Sequence, residues 1–394
     1  MRILILNHND RDKGTYFRCF SLGKNLVKVG HDVVLSCLNT DGSLFRTATE
    51  FIDGVKLVLV PGQFGSSSIR ELPFHFFRAV LNIKMTLLGK FDAVYAFNVA
   101  SPTTGIPIVI LKLLKKVGIF SGEILVDSDD LWGRGGLTSI DGKGGLAVWV
   151  AGFMETKIPL LADKVTIVSH FLKDMLIKAG VDPDKAFIVP NGADVSGPYF
   201  ADTTFPRAEL GLPADKPILC FVGRALWVFD YLLAALSIVV RKKPDTLIVY
   251  ISPLQDTHMK AIQQLGLSSN FICPGVQPHD VVCKYLSAAD VLLLPRMRNG
   301  IEQANFPGRL GDYLAAGRPI VSTAIGDESE IIMRKYNCGL LSQQNAPEAF
   351  AEKILQLLDN PKMRAEIGCS NRDVATQKLS WFAVTQDLVN RVLS

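Results

Sequence analysis

The sequence predicts an α/β protein made of two doubly wound halves, and three observations carry that expectation. Short apolar runs alternate with amphipathic stretches along most of the chain, the pattern of buried parallel strands and the helices that cover them. The alternation lapses between Val195 and Lys216 into Pro, Gly, Thr and Asp, then starts afresh. With 394 residues the chain is also longer than one core usually supports, so two Rossmann-like sheets facing one cleft are expected.

The first half opens on the apolar run Arg2 to Leu6, the polar loop Asn7 to Thr15 and an amphipathic helix from about Tyr16 to Val29. The strand His31 to Leu38 follows, so the loop holding Gly14 lies at a strand's carboxyl end, where doubly wound sheets bind ligands. Gly14 is read either as a close-approach position or as an ordinary loop glycine. No GxGxxG fingerprint is present, and nicotinamide chemistry is not expected. Further strands are read at Val55 to Pro61, Ala93 to Phe97 and Glu123 to Val126. The helices Arg70 to Lys90 and Ile106 to Val117 mix Phe, Leu and Ile with Arg70, Arg78, Lys84, Lys90, Lys112, Lys115 and Lys116. They read either as core helices with a basic edge or as a surface for an anionic membrane.

Three carboxylates, Asp127, Asp129 and Asp130, end the strand at Glu123. That placement reads as a site, as a strand-end turn, or as a D-x-D metal motif of a different transferase fold. Gly133 to Gly145 reads as a mobile loop above it. Strand, helix and strand at Lys164 to Ser169, Phe171 to Ala179 and Ala186 to Val189 close this half.

The second half begins with the strand Pro217 to Val222, and Gly223-Arg224 directly after it place a flexible backbone and a guanidinium where a phosphate would bind. Strands at Thr246 to Ser252, Asn270 to Cys273 and Val291 to Leu294 lead to Asn305–Thr323, a loop, helix and strand. Its helix puts Arg309 and Asp312 three residues apart on one face. Arginine suits a phosphate and a carboxylate accepts from ribose hydroxyls, so the pair fits a nucleoside diphosphate; a surface ion pair is the plainer reading. The tail from Pro347 is helical throughout, broken near Leu379-Ser380-Trp381.

A formal charge of +4 falls short of a nucleic-acid binder's excess. Seven scattered cysteines without CxxC spacing read as free thiols in a reducing, cytoplasmic setting. No signal peptide and no apolar span of about 18 residues are recognised.

The segments GHDVVL, VSHFLKDMLIKAG leading to VPNGADV, FVGRA, SAADVLLLPR, PGRLGDYLAAGRPIV, GDESEII and LSWFAVTQDL together resemble the glycosyltransferase family 4 enzymes of the GT-B fold. The resemblance covers nearly the whole chain. It implies an acceptor-binding domain over residues 1–200, a nucleotide-sugar-binding domain over 210–379, and a last helix, about 380–394, crossing back to the first. It implies transfer of a sugar with retention from a nucleoside diphosphate sugar to a glycan or lipid-linked acceptor. No metal and no cofactor are expected, and contact with the inner face of an anionic membrane is. Arg224 matches the arginine on the donor diphosphate, with Gly223 beside it, and Asp312 takes the place of a glutamate on the ribose. The second family glutamate falls at Ala304; Glu302 is the nearest acid, with Asn305 and Phe306 offering backbone amides to the sugar. A lysine that usually follows the Gly-Arg pair is absent, and Arg309 is expected to supply that charge. Asp129 and Asp130 stand where the family has a histidine-aspartate pair, and Gly14 loosely matches its glycine loop. A catalytically degenerate assisting subunit and a nucleotide-sugar epimerase of the same fold remain alternatives.

Overall fold

The computed structural model describes residues 1–39, 47–62, 68–140, 145–199, 204–224 and 228–393. The chain divides into two compact units: Met1–Pro190 with Ala304–Phe306 and Val384–Ser394, and Asn191–Gln303 with Pro307–Ala383. Residues 191–199, read above with the first half, group with the second unit.

The first unit runs β1 (Arg2–Asp10), α1 (Tyr16–Lys28), β2 (Asp32–Leu38), β3 (Ala48–Ile52), β4 (Val55–Val60), α2 (Ser68–Gly89), β5 (Ala93–Phe97), α3 (Pro102–Lys116), β6 (Glu123–Ser128), α4 (Leu137–Ile140), α5 (Gly145–Lys157), β7 (Lys164–Ile167), α6 (His170–Lys178) and β8 (Ala186–Ile188). Its strands lie in the order β3-β4-β2-β1-β5-β6-β7-β8. All pairs are parallel except β3 with β4. Ile3, Leu4, Ile5 and Leu6 are wholly buried, as are Val94, Tyr95 and Val126, because both faces of a parallel sheet are covered by helices. The antiparallel edge strand β3 was not anticipated. It turns through Asp53 and Gly54, both at positive φ (49° and 80°), the two-residue turn that Asp-Gly favours.

The second unit runs α7 (Thr204–Glu209), β9 (Ile218–Val222), α8 (Phe229–Lys242), β10 (Leu247–Ile251), α9 (Asp256–Gln264), β11 (Phe271–Ile272), α10 (His279–Ala288), β12 (Val291–Leu294), α11 (Gly300–Ala304), α12 (Gly308–Ala315), β13 (Ile320–Ala324), α13 (Glu328–Tyr336), β14 (Gly339–Gln343), α14 (Pro347–Leu358) and α15 (Pro361–Gln377), and helix α16 (Trp381–Leu388) groups with the first unit from Val384 onward. Its sheet is parallel throughout, in the order β11-β10-β9-β12-β13-β14. Leu219, Phe221, Leu236, Val239, Ile248, Leu293 and Phe350 share one core.

Two sequence expectations change here. The segment Gly133 to Gly145 is not one loop: α4 lies within it and α5 starts at Gly145, with residues 141–144 outside those described. Helix α5, GLAVWVAGFMETK, is apolar around most of its circumference and so lacks the helical periodicity by which a sequence is read. The basic face imagined for α2 and α3 is also thinner. Arg78 is fully buried and donates to the Pro61 carbonyl at 2.7 Å and to Gly62. Lys112 and Lys115 hold Asp163 at 3.3 and 2.7 Å, while the side chain of Arg70 lies outside those described. No described helix is long and apolar enough to cross a membrane. All seven cysteines are free thiols.

Candidate functional site

In the first sheet β1 has β2 on one side and β5 on the other, so the winding reverses between β1 and β5. Crevices at such reversals, outside the carboxyl ends of the strands, are where open α/β sheets bind ligands. His8 sits near the end of β1, Asn98 directly after β5, and Asp129 directly after β6.

The three aspartates do different work. Asp127 is wholly buried, and Arg18 of α1 grips it with two bonds, Nε to Oδ1 at 2.9 Å and an Nη to Oδ2 at 2.8 Å. The hydroxyls of Thr166 and Tyr95 donate to the same Oδ2 at 2.5 and 3.3 Å. Arg18 also donates to the carbonyls of Val189 and Pro190 at 2.9 and 3.1 Å. This pair fastens α1 to the end of the sheet, and removing one partner of such a buried pair costs about 3 to 5 kcal/mol. Asp129 accepts at Oδ2 from the Thr15 hydroxyl at 2.7 Å, while its buried Oδ1 has no partner among the described residues. Burial first, and the charge of Asp127 second, push its pKa up to about 6. Asp130 is partly exposed and lines the same pocket.

Asn98 and Trp132 line that pocket too. Asn98 sits in the left-handed region at φ 50°, and its amide nitrogen lies 2.9 Å from the His8 ring nitrogen Nε2. Its Oδ1 and the Trp132 indole nitrogen are buried without partners among the described residues. Glu155, buried on α5, accepts from the backbone amides of Trp132 and Gly133 at 2.7 and 3.0 Å. Burial raises its pKa. Buried polar groups are nearly always paired, so this cluster is suited to hydroxyls that both donate and accept.

In the second sheet β9 lies between β10 and β12, which puts the reversal at the carboxyl ends of β9 and β12. Gly223 and Arg224 follow β9, and Pro295-Arg296 follow β12. Helix α12 is fastened there by Tyr313, whose hydroxyl donates to the Leu293 carbonyl at 3.1 Å and accepts from the Val222 amide at 3.0 Å. Arg309, one turn earlier, donates to the Val222 carbonyl at 2.9 Å and lies over the Phe221 ring at 5.3 Å. Burial lowers its pKa. Arg224 is exposed, and the residues after it, 225–227, lie outside those described.

Asp312 does not pair with Arg309. Its Oδ1 accepts from the Tyr199 hydroxyl at 3.0 Å and faces His279 Nε2 at 3.2 Å. The hydrogen bond with Asp312, followed by that with Cys283, pushes the His279 pKa up to about 10. The carboxylate is thus oriented by two side chains that sequence spacing did not single out.

Glu302 lies 2.8 Å from Nε of the buried Arg296, which also meets Asp327 at 3.0 Å. Gly14 has a positive φ of 52°, and a Cβ there would come within 2.4 Å of the Asn9 amide, so its close approach is to the loop's own side chain. Asn305 and Phe306 group with the first unit, Phe306 being buried. Arg18, Asn98 and Glu155 were not read from the sequence, while Thr15 and Arg296 stood at the ends of motifs without a role of their own. Asn98 and Arg296 carried a signal, each standing at the carboxyl end of an apolar strand.

Two parallel-sheet units, each with polar residues gathered at its point of reversal, define the GT-B class of fold. Family profiles agree: the one described as "Glycosyl transferases group 1" matches residues 202–374, and "Glycosyltransferase Family 4" matches residues 17–196. The chain belongs to these glycosyltransferases. Among relatives, it is 27% identical to a D-inositol 3-phosphate glycosyltransferase of Segniliparus rotundus over 216 residues, 53% of this chain and 46% of that one. It is 24% identical over 391 residues to an uncharacterized glycosyltransferase of Methanocaldococcus jannaschii, covering 96% of this chain and 93% of the other. The chain thus spans about half of the first relative and nearly all of the second. The solved sucrose-phosphate synthase of Thermosynechococcus elongatus has the same fold, with a TM-score of 0.75, 17% identity and coverage of 99% and 97%. So does Anabaena HepE, solved in complex with UDP and glucose, at a TM-score of 0.70, 15% identity and coverage of 100% and 99%.

Proposed function

We propose that this protein transfers a sugar from a nucleoside diphosphate sugar to a hydroxyl of a glycan or lipid-linked acceptor, with retention and without a metal ion. The observation that carries this reading is the guanidinium of Arg309 laid across Gly223, beside the exposed Arg224, at the reversal point of the second sheet. Two cations and a glycine backbone suit a diphosphate. Asp312, oriented by Tyr199 and His279, takes the ribose hydroxyls. Crystals of Anabaena HepE with UDP and with UDP-glucose support a donor of this class through the shared fold.

The chemistry is management of charge. As the sugar leaves, negative charge grows on the diphosphate, and each well-placed donor in such a site contributes about 3 to 4 kcal/mol. Retention in this reading needs no protein nucleophile, because the departing phosphate takes the acceptor proton. In the first unit Asp129 and Asp130 orient the acceptor hydroxyl. Glu302, tied to Arg296, shapes the loop before α12 rather than donating or accepting a proton. Asp127 is committed to Arg18, Thr166 and Tyr95, which favours a metal-free reading of the acidic strand end.

A lipid-linked acceptor is favoured by α5, which exposes Leu146, Trp149 and Phe153 on the helix that carries Glu155. An aromatic and aliphatic face of this kind suits a membrane interface. The test is turnover of a panel of nucleoside diphosphate sugars with extracted glycans and lipids. Acceptor-dependent release of the nucleoside diphosphate, unaffected by EDTA, is expected. Binding of a nucleoside diphosphate with no release from any donor, or activity that EDTA abolishes and manganese restores, contradicts it.

A further inference from the structure

At the opposite, amino-terminal edge of the second sheet lies an open pocket of about 410 Å³ bordered by three arginines, Arg318, Arg364 and Arg372. Asp290 and Pro319, which precede β12 and β13, fix its place at that edge, away from Gly223 and Arg224 at the carboxyl end of β9. The floor is a close approach of two glycines. A Cβ on Gly368 would come within 2.3 Å of the Gly317 carbonyl oxygen, so α15 lies directly against the turn that ends α12. Arg364, Gly368 and Arg372 are four residues apart and share one face of α15. The glycine contact therefore sets two guanidiniums on either side of the floor, and Arg318 adds a third from the turn.

Two acids, Asp290 and Asp373, line the pocket with the three arginines, so the basic groups outnumber the acidic ones. Asp290 is taken by Arg207 at 2.8 Å and by the Ile218 amide at 2.8 Å, with Arg364 at 4.0 Å. Asp373 is exposed. Each arginine also serves structure: Arg318 donates to the Ser287 carbonyl at 2.7 Å, Arg364 to Leu357 and Leu358 at 2.7 and 2.8 Å, and Arg372 to Ala316 at 3.2 Å. Those bonds fix the forks at helix carboxyl ends and leave their charge facing a shared concavity. Fixed arginine forks are the side chains best matched to phosphate.

We propose that this pocket binds a phosphate-bearing ligand at a site separate from the donor residues. The shared chemistry is a multiply charged phosphate, carried by a soluble metabolite or a lipid headgroup. Cys369 lines the pocket and is the exposed cysteine among the seven, so it reports occupancy without any assay of transfer. Maleimide labelling of Cys369 in the full chain, located by peptide mass spectrometry, is measured against pyrophosphate, a hexose phosphate and phosphatidic acid vesicles. A ligand at about ten times its dissociation constant slows labelling about tenfold. Saturable protection by at least one phosphate probe is expected, with none from chloride at equal ionic strength. Protection by the soluble probes assigns the metabolite, and protection by vesicles alone assigns the headgroup. Arg364→Gln and Arg372→Gln should lose the protection with a lowered but still cooperative melt, since each also gives up a bond to a helix-end carbonyl, and the lysine variants should keep part of it. Where Arg364→Gln fails to fold, Arg372→Gln carries the test. Arg309→Ala should keep the protection, which separates this site from the donor reading. Unchanged labelling with every probe, or protection that survives both glutamine substitutions, overturns the proposal.

Discussion

Arg309 lies across Gly223: a Cβ on the glycine would stand 2.6 Å from the arginine's terminal nitrogen, at a backbone φ of 107°. The backbone conformation favours glycine there, and any Cβ would push the end of the Arg309 side chain aside. Gly223→Ala should therefore displace Arg309 and lower kcat/KM for the donor by about a hundredfold. Arg309→Lys, which keeps the charge but loses the fork, should fall between Ala and the parent. Steady-state kinetics of the three variants checks the order.

Arg224 and Asp312 should fail in different ways. Arg224→Ala removes charge that matters more as the bond to the diphosphate breaks, and it should lower kcat by about a hundredfold. Asp312→Asn weakens a contact made equally in ground and transition states, so donor KM should rise about tenfold with kcat nearly kept. A matched fall in kcat for both would place Asp312 on the reacting sugar instead.

Asp129 offers a prediction in stability and activity together. Its pKa is about 6 in the folded chain against an ordinary 3.8. Between those values the folded state holds a proton that the unfolded state has lost, so stability falls as pH rises from about 4 to about 6 and the deficit is complete above that window. Asp129→Asn keeps an acceptor for Thr15 and removes the buried charge. The variant should be more stable than the parent by about 2 to 3 kcal/mol at pH 7 and equal to it near pH 4. Its turnover should be severely reduced, and the parent's should decline as pH drops below about 6. Denaturant unfolding at the two pH values gives the measurement; an equal stability gap at both would exclude a charge effect.

Glu155 links α5 to the pocket at the carboxyl end of β6, which is proposed to take the acceptor. Glu155→Gln puts an amide donor against one of two backbone donors, which should destabilise the fold by about 1 to 3 kcal/mol. Acceptor KM should rise while donor KM stays within about twofold. A change in donor KM instead would place loop 131–136 elsewhere in the reaction.

Much of this architecture was legible in the sequence because parallel strands buried on both faces read as plain apolar runs. β5 and β12 appear with the bounds read from sequence, Gly223 follows β9 and Arg309 lies in the first turn of α12 as read, whereas Asp312 lies in the second turn and pairs elsewhere. What stayed hidden depends on contacts across long separations. Arg18 meets Asp127 109 residues away, and Tyr199 meets Asp312 113 residues away; neither partner stands in a local pattern. Helix α5 escaped because it has no polar face, and β3 because a five-residue edge strand carries little periodicity. Arg78 looked like surface charge, yet it caps two carbonyls in the interior, since a lone arginine in an apolar helix reads the same either way.

The most direct measurement is calorimetric titration of the parent and Arg309→Ala with UDP, GDP and ADP. One nucleoside diphosphate should bind the parent with a dissociation constant in the micromolar range, about −8 kcal/mol. Arg309→Ala should weaken that binding by at least about tenfold, with its fold intact by circular dichroism. Binding of none of the three by the parent, or equal affinity in the two proteins, would contradict the assignment of Arg309, Gly223 and Arg224 to the donor diphosphate.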